Sequence, residues 1–219
     1  DISEEEMLAL AKPNTKLVYG ETISNPLAMV LDFQKFSNVA KKLDVPLMVD
    51  NTFATPILCK PFELGANIVV HSTSKYMDGH AVALGGIIVD GGNFNWDNGK
   101  FPDLVEPDES YHGVSYLKQF GEAAYITKAR VQVMRNFGMT ASPFNAWLTN
   151  LGCESLHLRM RQHSDNALKI AKYLHDNEMC AWVKYPGLDD NKYYELAKKY
   201  LPNGCSGVMT FGVKGGRDA

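Results

Sequence analysis

From Leu17 to Gly91 the chain alternates short, apolar, β-branched runs with one amphipathic stretch, a pattern that commits it to βαβ units around a largely parallel sheet. The candidate strands are Lys16 to Tyr19, Val45 to Asp50 and Asn67 to His71, with a fourth, Gly85 to Val89, returning to the same sheet. Runs apolar on both faces are what a sheet covered by helices requires. Between the first two, Asp32 is a good N-cap, and Phe33, Phe36, Val39, Ala40 and Leu43 recur at helical spacing. Residues 91–111, rich in Gly, Pro, Asn and Asp, read as a long surface loop.

Beyond that loop the pattern turns helical. Helices are expected over Glu122–Asn136, from a Ser142 cap with Pro143 at the first helical position, and over Glu154–Asp176. A last strand is expected over Gly207–Val213. Glu4 to Glu6 suit the acidic first turn of a short helix capped by Ser3.

Composition narrows the function. With 22 basic against 25 acidic residues and a net charge of −3, nucleic acid and anionic membrane are poor partners. Cys59, Cys153, Cys180 and Cys205 lack zinc spacing and read as reduced, mostly buried thiols. No eighteen-residue apolar run occurs and the acidic start is unlike a signal peptide, so a cytoplasmic enzyme is expected. An opening on Asp1 and an end just after a strand-like run suggest a segment of a longer protein. Gly85-Gly86 and Gly91-Gly92 lack a nucleotide phosphate loop. No metal site is expected.

The chemistry sits at strand ends, where open α/β sheets bind ligands. Asp50 ends one buried strand, and Ser72, Ser74 and Lys75 follow the next. A lysine among hydroxyls suits a Schiff base with an aldehyde whose phosphate the hydroxyls contact, and an acid can pair with a protonated ring nitrogen. These are the handles a pyridoxal phosphate needs. His71 reads as a packed core histidine, His80 as a neighbour of the lysine, and the methionines as core filler.

The stretches Glu21 to Pro26, Val49 to Thr52, and His71 to Tyr76 with Gly79-His80 resemble the pyridoxal-phosphate-dependent enzymes of Cys/Met metabolism, which have the aspartate-aminotransferase-like fold (fold type I). The resemblance implies that Lys75 binds the cofactor, Asp50 faces the pyridine nitrogen, Asn25 lies near the phenolic oxygen, and Ser72 and Ser74 contact the phosphate. The family usually has Ala and Thr where this chain has Thr73 and Ser74, and a Ser keeps the hydroxyl.

Further stretches, Pro107 to Gly113, Ser142 to Trp147, Leu158 to His163, Trp182 to Leu188, Tyr193 to Pro202 and Thr210 to Gly216, are most similar to the branch of the family that adds sulfide or methanethiol to O-acetylhomoserine. Methionine γ-lyase and cystathionine γ-synthase or lyase share the same site and stay open. From other classes, a hydrolase using Asp50 and a non-catalytic α/β binding module also stay open.

The resemblance implies a large cofactor-binding domain over residues 1–151, incomplete at its N-terminus, and the start of a smaller α/β domain over 152–219. It implies amino-acid and sulfide substrates and a homotetramer, a dimer of dimers with sites at subunit interfaces. In relatives, portions outside this stretch supply the aromatic residue stacked on the ring and the arginine that grips the substrate carboxylate. The isolated segment is therefore expected to be incompetent.

Overall fold

The computed structural model describes residues 2–216. Four strands form one sheet in the order β1 (Val18–Glu21), β2 (Leu47–Asp50), β3 (Ile68–Ser72) and β4 (Gly86–Asp90). The first three are parallel and β4 is antiparallel to β3. All four expected strands are present, each beginning one or two residues later than its run of apolar side chains.

Helix α1 (Glu4–Ala9) starts with the reciprocal capping box of Ser3 and Glu6. Helix α2 (Phe33–Leu43) is capped by Asp32, whose carboxylate accepts from the Lys35 amide at 3.3 Å. It ends where Asp44 turns into the left-handed region at φ 48°. Phe33, Ser37, Val39 and Ala40 are its buried positions, so the apolar stripe legible in the sequence is turned inward, with one buried hydroxyl beside it. Phe33 and Ala40 pack with Leu47, Val49 and Val69 and with Leu58 of the short helix α3 (Thr55–Leu58). Leu156, Met160 and Tyr200, from much later in the chain, complete this core.

The other sheet face carries Met48, Ile68 and Val70 against Trp96, Leu104, Tyr116 and Tyr125. Trp96 and Leu104 are buried and Pro102–Val105 forms helix α4, so residues 91–111 are a covering layer rather than the surface loop expected. The Gly, Pro, Asn and Asp of that stretch hide three aromatic anchors, Phe94, Trp96 and Phe101, whose edge-to-face contacts with one another and the stacking of Trp96 on Tyr125 hold the layer. Helix α5 (Tyr116–Phe120) follows.

The helix expected over 122–136 is interrupted: α6 (Ala124–Lys128) passes into a π-helical stretch, Ala129–Met134, before α7 (Arg135–Phe137). Lys128 and Gln132 both reach Asp108, at 2.6 and 2.9 Å. Hydrogen bonds from Lys128 and Ser110 hold the Asp108 carboxyl well below the usual carboxylate range.

Helix α8 (Pro143–Glu154) has the expected Ser142 cap, and Ser155 separates it from α9 (Leu156–His175). Strand β5 (Cys180–Lys184) pairs antiparallel with β6 (Thr210–Val213) around α10 (Tyr194–Tyr200). Ala167, Ala171, Tyr185 and Leu188 form a small core of their own. The last strand thus starts three residues later than expected. All four cysteines are free: Cys59 is buried and the others half-buried. Burial pushes the Cys59 thiol up to about 12, as an inert packing role requires. Among the described residues no helix is long and apolar enough to cross a membrane.

His71 is buried on β3, as expected of a core histidine. Burial pushes its imidazole below the ordinary value, with Asp50 and the Asn51 backbone pulling weakly the other way. A base depressed on folding is protonated first in the unfolded chain, so stability is full above about pH 6.5 and is lost as pH falls below it. The apparent melting temperature of His71→Gln should therefore fall less between pH 7 and 5.5 than that of the natural protein. Equal falls would mean that His71 is charged when folded.

Candidate active site

Because β1, β2 and β3 run in parallel, their carboxyl ends share one sheet edge. Glu21 ends β1 opposite Asp50, and Asp50 pairs with Val70, two residues before Ser72. Asn25 follows on the loop beyond β1, exposed, with its amide donating to Glu21 Oε2 at 3.2 Å. Lys75 lies three residues beyond β3 and is exposed. The five residues expected to matter, Asn25, Asp50, Ser72, Ser74 and Lys75, thus lie along one edge and come from three strand ends.

Half-buried Asp50 is held by its own turn: Oδ1 accepts from the Thr52 amide at 2.9 Å, and the Tyr19 hydroxyl lies 3.5 Å from Oδ2. Burial and the charge of Asp50 both raise the Tyr19 phenol above its ordinary value, so it stays a neutral donor. The Thr52 hydroxyl accepts from the Ser72 amide at 2.8 Å. One short bond thereby ties the β2 end to the β3 end. Thr52 and Tyr19 were not singled out by sequence reasoning. Thr52 lies in the quoted motif, whereas the reach of Tyr19 across to β2 follows only from strand register.

The turn after β3 is tightly bonded. The Thr73 amide donates to Gly85 O at 3.0 Å, the Asp78 amide to Thr73 O at 2.9 Å and the Gly79 amide to Lys75 O at 2.8 Å. The Ser74 hydroxyl accepts from the Gly85 amide and donates to Gly85 O, at 2.9 and 3.2 Å. Its proton must rotate away from that carbonyl before it can serve an anion. Ser72 has no such competing partner for its hydroxyl among the described residues. The Lys75 amine likewise has no hydrogen-bond or ion-pair partner among them.

His80 is exposed and turns back, its Nδ1 lying 2.7 Å from Asp78 O. Burial would raise the fully buried Asp78, but the amides of Val82, His80 and Ala83 outweigh it and hold the carboxyl below its ordinary value. This anion braces the end of the turn from within.

One free primary amine, one oriented carboxylate, an uncommitted hydroxyl and an amide side chain on a single ledge form a donor set that fits an aromatic aldehyde bearing a phosphate and a basic ring nitrogen. This fold and ledge define a pyridoxal-phosphate type of α/β enzyme. The sequence profile of the Cys/Met metabolism PLP-dependent enzymes matches residues 1–219, and the chain belongs to that family.

Its relatives include an O-acetyl-L-homoserine sulfhydrylase of Leptospira meyeri, 46% identical over 97% of this chain and 50% of the relative. A homocysteine synthase of Schizosaccharomyces pombe is 44% identical over 97% and 50%. A crystal structure from Campylobacter jejuni, of a protein assigned as an O-acetylhomoserine (thiol)-lyase and carrying N'-pyridoxyl-lysine-5'-monophosphate, superposes with a TM-score of 0.92 at 34% identity. It covers 96% of this chain and 52% of that one. The fold type I architecture expected from the sequence is therefore the one observed. The chain spans about half the length of the curated relatives it matches.

Proposed function

We propose that this chain is the lysine-bearing part of a pyridoxal-phosphate enzyme that replaces the γ-acetoxy group of O-acetylhomoserine with sulfide or methanethiol, giving homocysteine or methionine and acetate. The observation that carries this reading is the convergence of Asn25, Asp50, Ser72 and Lys75 on the carboxyl edge of β1 to β3. The names of relatives at 46% and 44% identity support the choice of reaction.

When bound, pyridoxal phosphate supplies an electron sink for charge left on the substrate α-carbon. The residues of this chain do the rest. Lys75 would hold the cofactor through its amine, and the same amine, when free, would move protons between substrate carbons. Asp50 would keep a proton on the ring nitrogen. Asn25 would donate toward the phenolic oxygen, and the Ser72 and Ser74 hydroxyls toward the phosphate. The reading also includes a large domain ending near Leu151, a smaller one beginning at Gly152, a cytoplasmic location and a homotetramer built as a dimer of dimers.

Reaction choice is a ratio of competing rates, and a barrier difference of about 1.4 kcal/mol changes it about tenfold. The full-length enzyme given O-acetylhomoserine with sulfide should form homocysteine in preference to 2-ketobutyrate. Steady ketoacid and ammonia from methionine, with little sulfide incorporated, would move the assignment to a γ-lyase.

A further inference from the structure

We propose that Arg159, on α9, is a positioning residue for Lys75, fixing the turn that carries the amine. The proposal rests on the reading of Lys75 as the cofactor lysine. The Arg159 guanidinium reaches three acceptors in two segments: Nη1 donates to Tyr76 O at 2.8 Å, Nη2 to Gly152 O at 2.6 Å and Nε to Ser155 Oγ at 3.0 Å. Tyr76 is the residue after Lys75, Gly152 lies in the last turn of α8, and Ser155 is the break between α8 and α9. Among the described residues no carboxylate lies within ion-pair distance of Arg159. Its fork is therefore spent on backbone and hydroxyl acceptors, a task that a rigid planar group with several donors performs and a lysine cannot fully copy.

Close packing on both sides shows that the clamp is built in. A Cβ on Gly79 would strike Nη1 and come within 2.6 Å of Cζ of Arg159. A Cβ on Gly152 would strike Asp78 O and come within 2.5 Å of Met77 O. The guanidinium thus lies flat against one end of the lysine turn, while the α8 backbone lies directly on its carbonyls. Tyr76 adds a side-chain anchor, packed between Phe53, from the segment after Asp50, and His163 on α9, with ring centroids 6.3 and 5.2 Å away.

Lys75 is exposed, and among the described residues it has no partner to hold its amine in place. The backbone on both sides of it sets its direction relative to Asp50 and Ser72: Gly85 holds Thr73 and Ser74 before it, and after it Arg159 holds Tyr76 O from outside the turn, with the Cys153 thiol 3.9 Å from Met77 O. Misplacing a reacting group by about 1 Å costs on the order of a hundredfold in rate.

The test uses the full-length protein and its Arg159→Ala and Arg159→Lys variants. In cofactor-free protein, the amides of Asp78 and Gly79 should exchange with deuterium faster in both variants, while those of α2 and β2 stay unchanged. In the holoenzyme, kcat should fall about a hundredfold in Arg159→Ala, with KM for O-acetylhomoserine nearly constant and Arg159→Lys intermediate. Unchanged exchange at the turn, or equal loss of protection throughout the sheet, would overturn the proposal, as would a change confined to KM. Should Arg159→Ala not fold, the lysine variant decides on the same readouts. Labelling of some other lysine by borohydride would instead sink the reading of Lys75, and the exchange data would still judge the clamp.

Discussion

Borohydride reduction of the full-length holoenzyme should fix a pyridoxyl group on Lys75 and on no other lysine of this chain, and Lys75→Ala should abolish turnover. The place of Lys75 at the strand ends argues for this selectivity, and six other lysines have their amines engaged elsewhere. Lys42 pairs with Glu4, Lys128 with Asp108 and Lys198 with Glu195. Lys16, Lys35 and Lys100 donate to the backbone carbonyls of Lys100, Ile2 and Leu43. Lys75 stands at the ligand edge with no such claim on its amine. Proton transfer by a positioned base contributes about two to four decades by itself, before any loss from failing to hold the cofactor. Peptide mapping checks the first part and steady-state kinetics the second. A pyridoxyl label elsewhere would displace the site.

Asp50→Asn should keep the fold and the cofactor yet lose about two decades of turnover. The amide oxygen can still accept from the Thr52 amide, so the turn that ends β2 survives. What disappears is the negative charge that holds a proton on the ring nitrogen, a charged hydrogen bond worth about 1.5–3 kcal/mol, and about 2.7 kcal/mol corresponds to two decades. An unchanged melting temperature and retained visible absorbance, together with the fallen kcat, would isolate the charge effect. Near-normal turnover would assign ring protonation to another group.

The parts of the fold that could be read from the residues are those whose signal is local. Asp32 and the spacing of Phe33, Val39 and Ala40 define α2, and β-branched runs define the strands. Ser3 with Glu6 announces α1. Strand β5 was not anticipated as a strand, because Trp182 is exposed and its pairing with β6 spans the whole of α10. The π-helical stretch has no signature in Ala129 to Met134 that distinguishes it from an α-helix. The layer over residues 91–111 depends on aromatic rings finding one another across loops, which composition averages away.

At the candidate site the strand-end residues were legible because parallel topology places every carboxyl end on one side. Thr52, Tyr19 and Arg159 were not, since each acts through a partner on another element, 20, 31 and 83 positions away. Residue type and spacing along the chain carry no information about such pairings.

The order β1-β2-β3-β4 has a consequence for how the molecule is made. Each strand lies beside the one that leaves the ribosome just before it, so every pairing closes a loop of only a few tens of residues. Loop closure grows only logarithmically in cost with length, but the greater gain is temporal: a nascent strand meets its template already exposed. Asp50 is translated before Lys75, so the strand that carries the acid is made before the one that leads to the amine. The clamp from α9 comes some eighty residues later and closes the turn from outside. The ledge and its bracing thus draw on segments made at different times, and the late segment brings both the clamp and the residues that complete the core under the sheet.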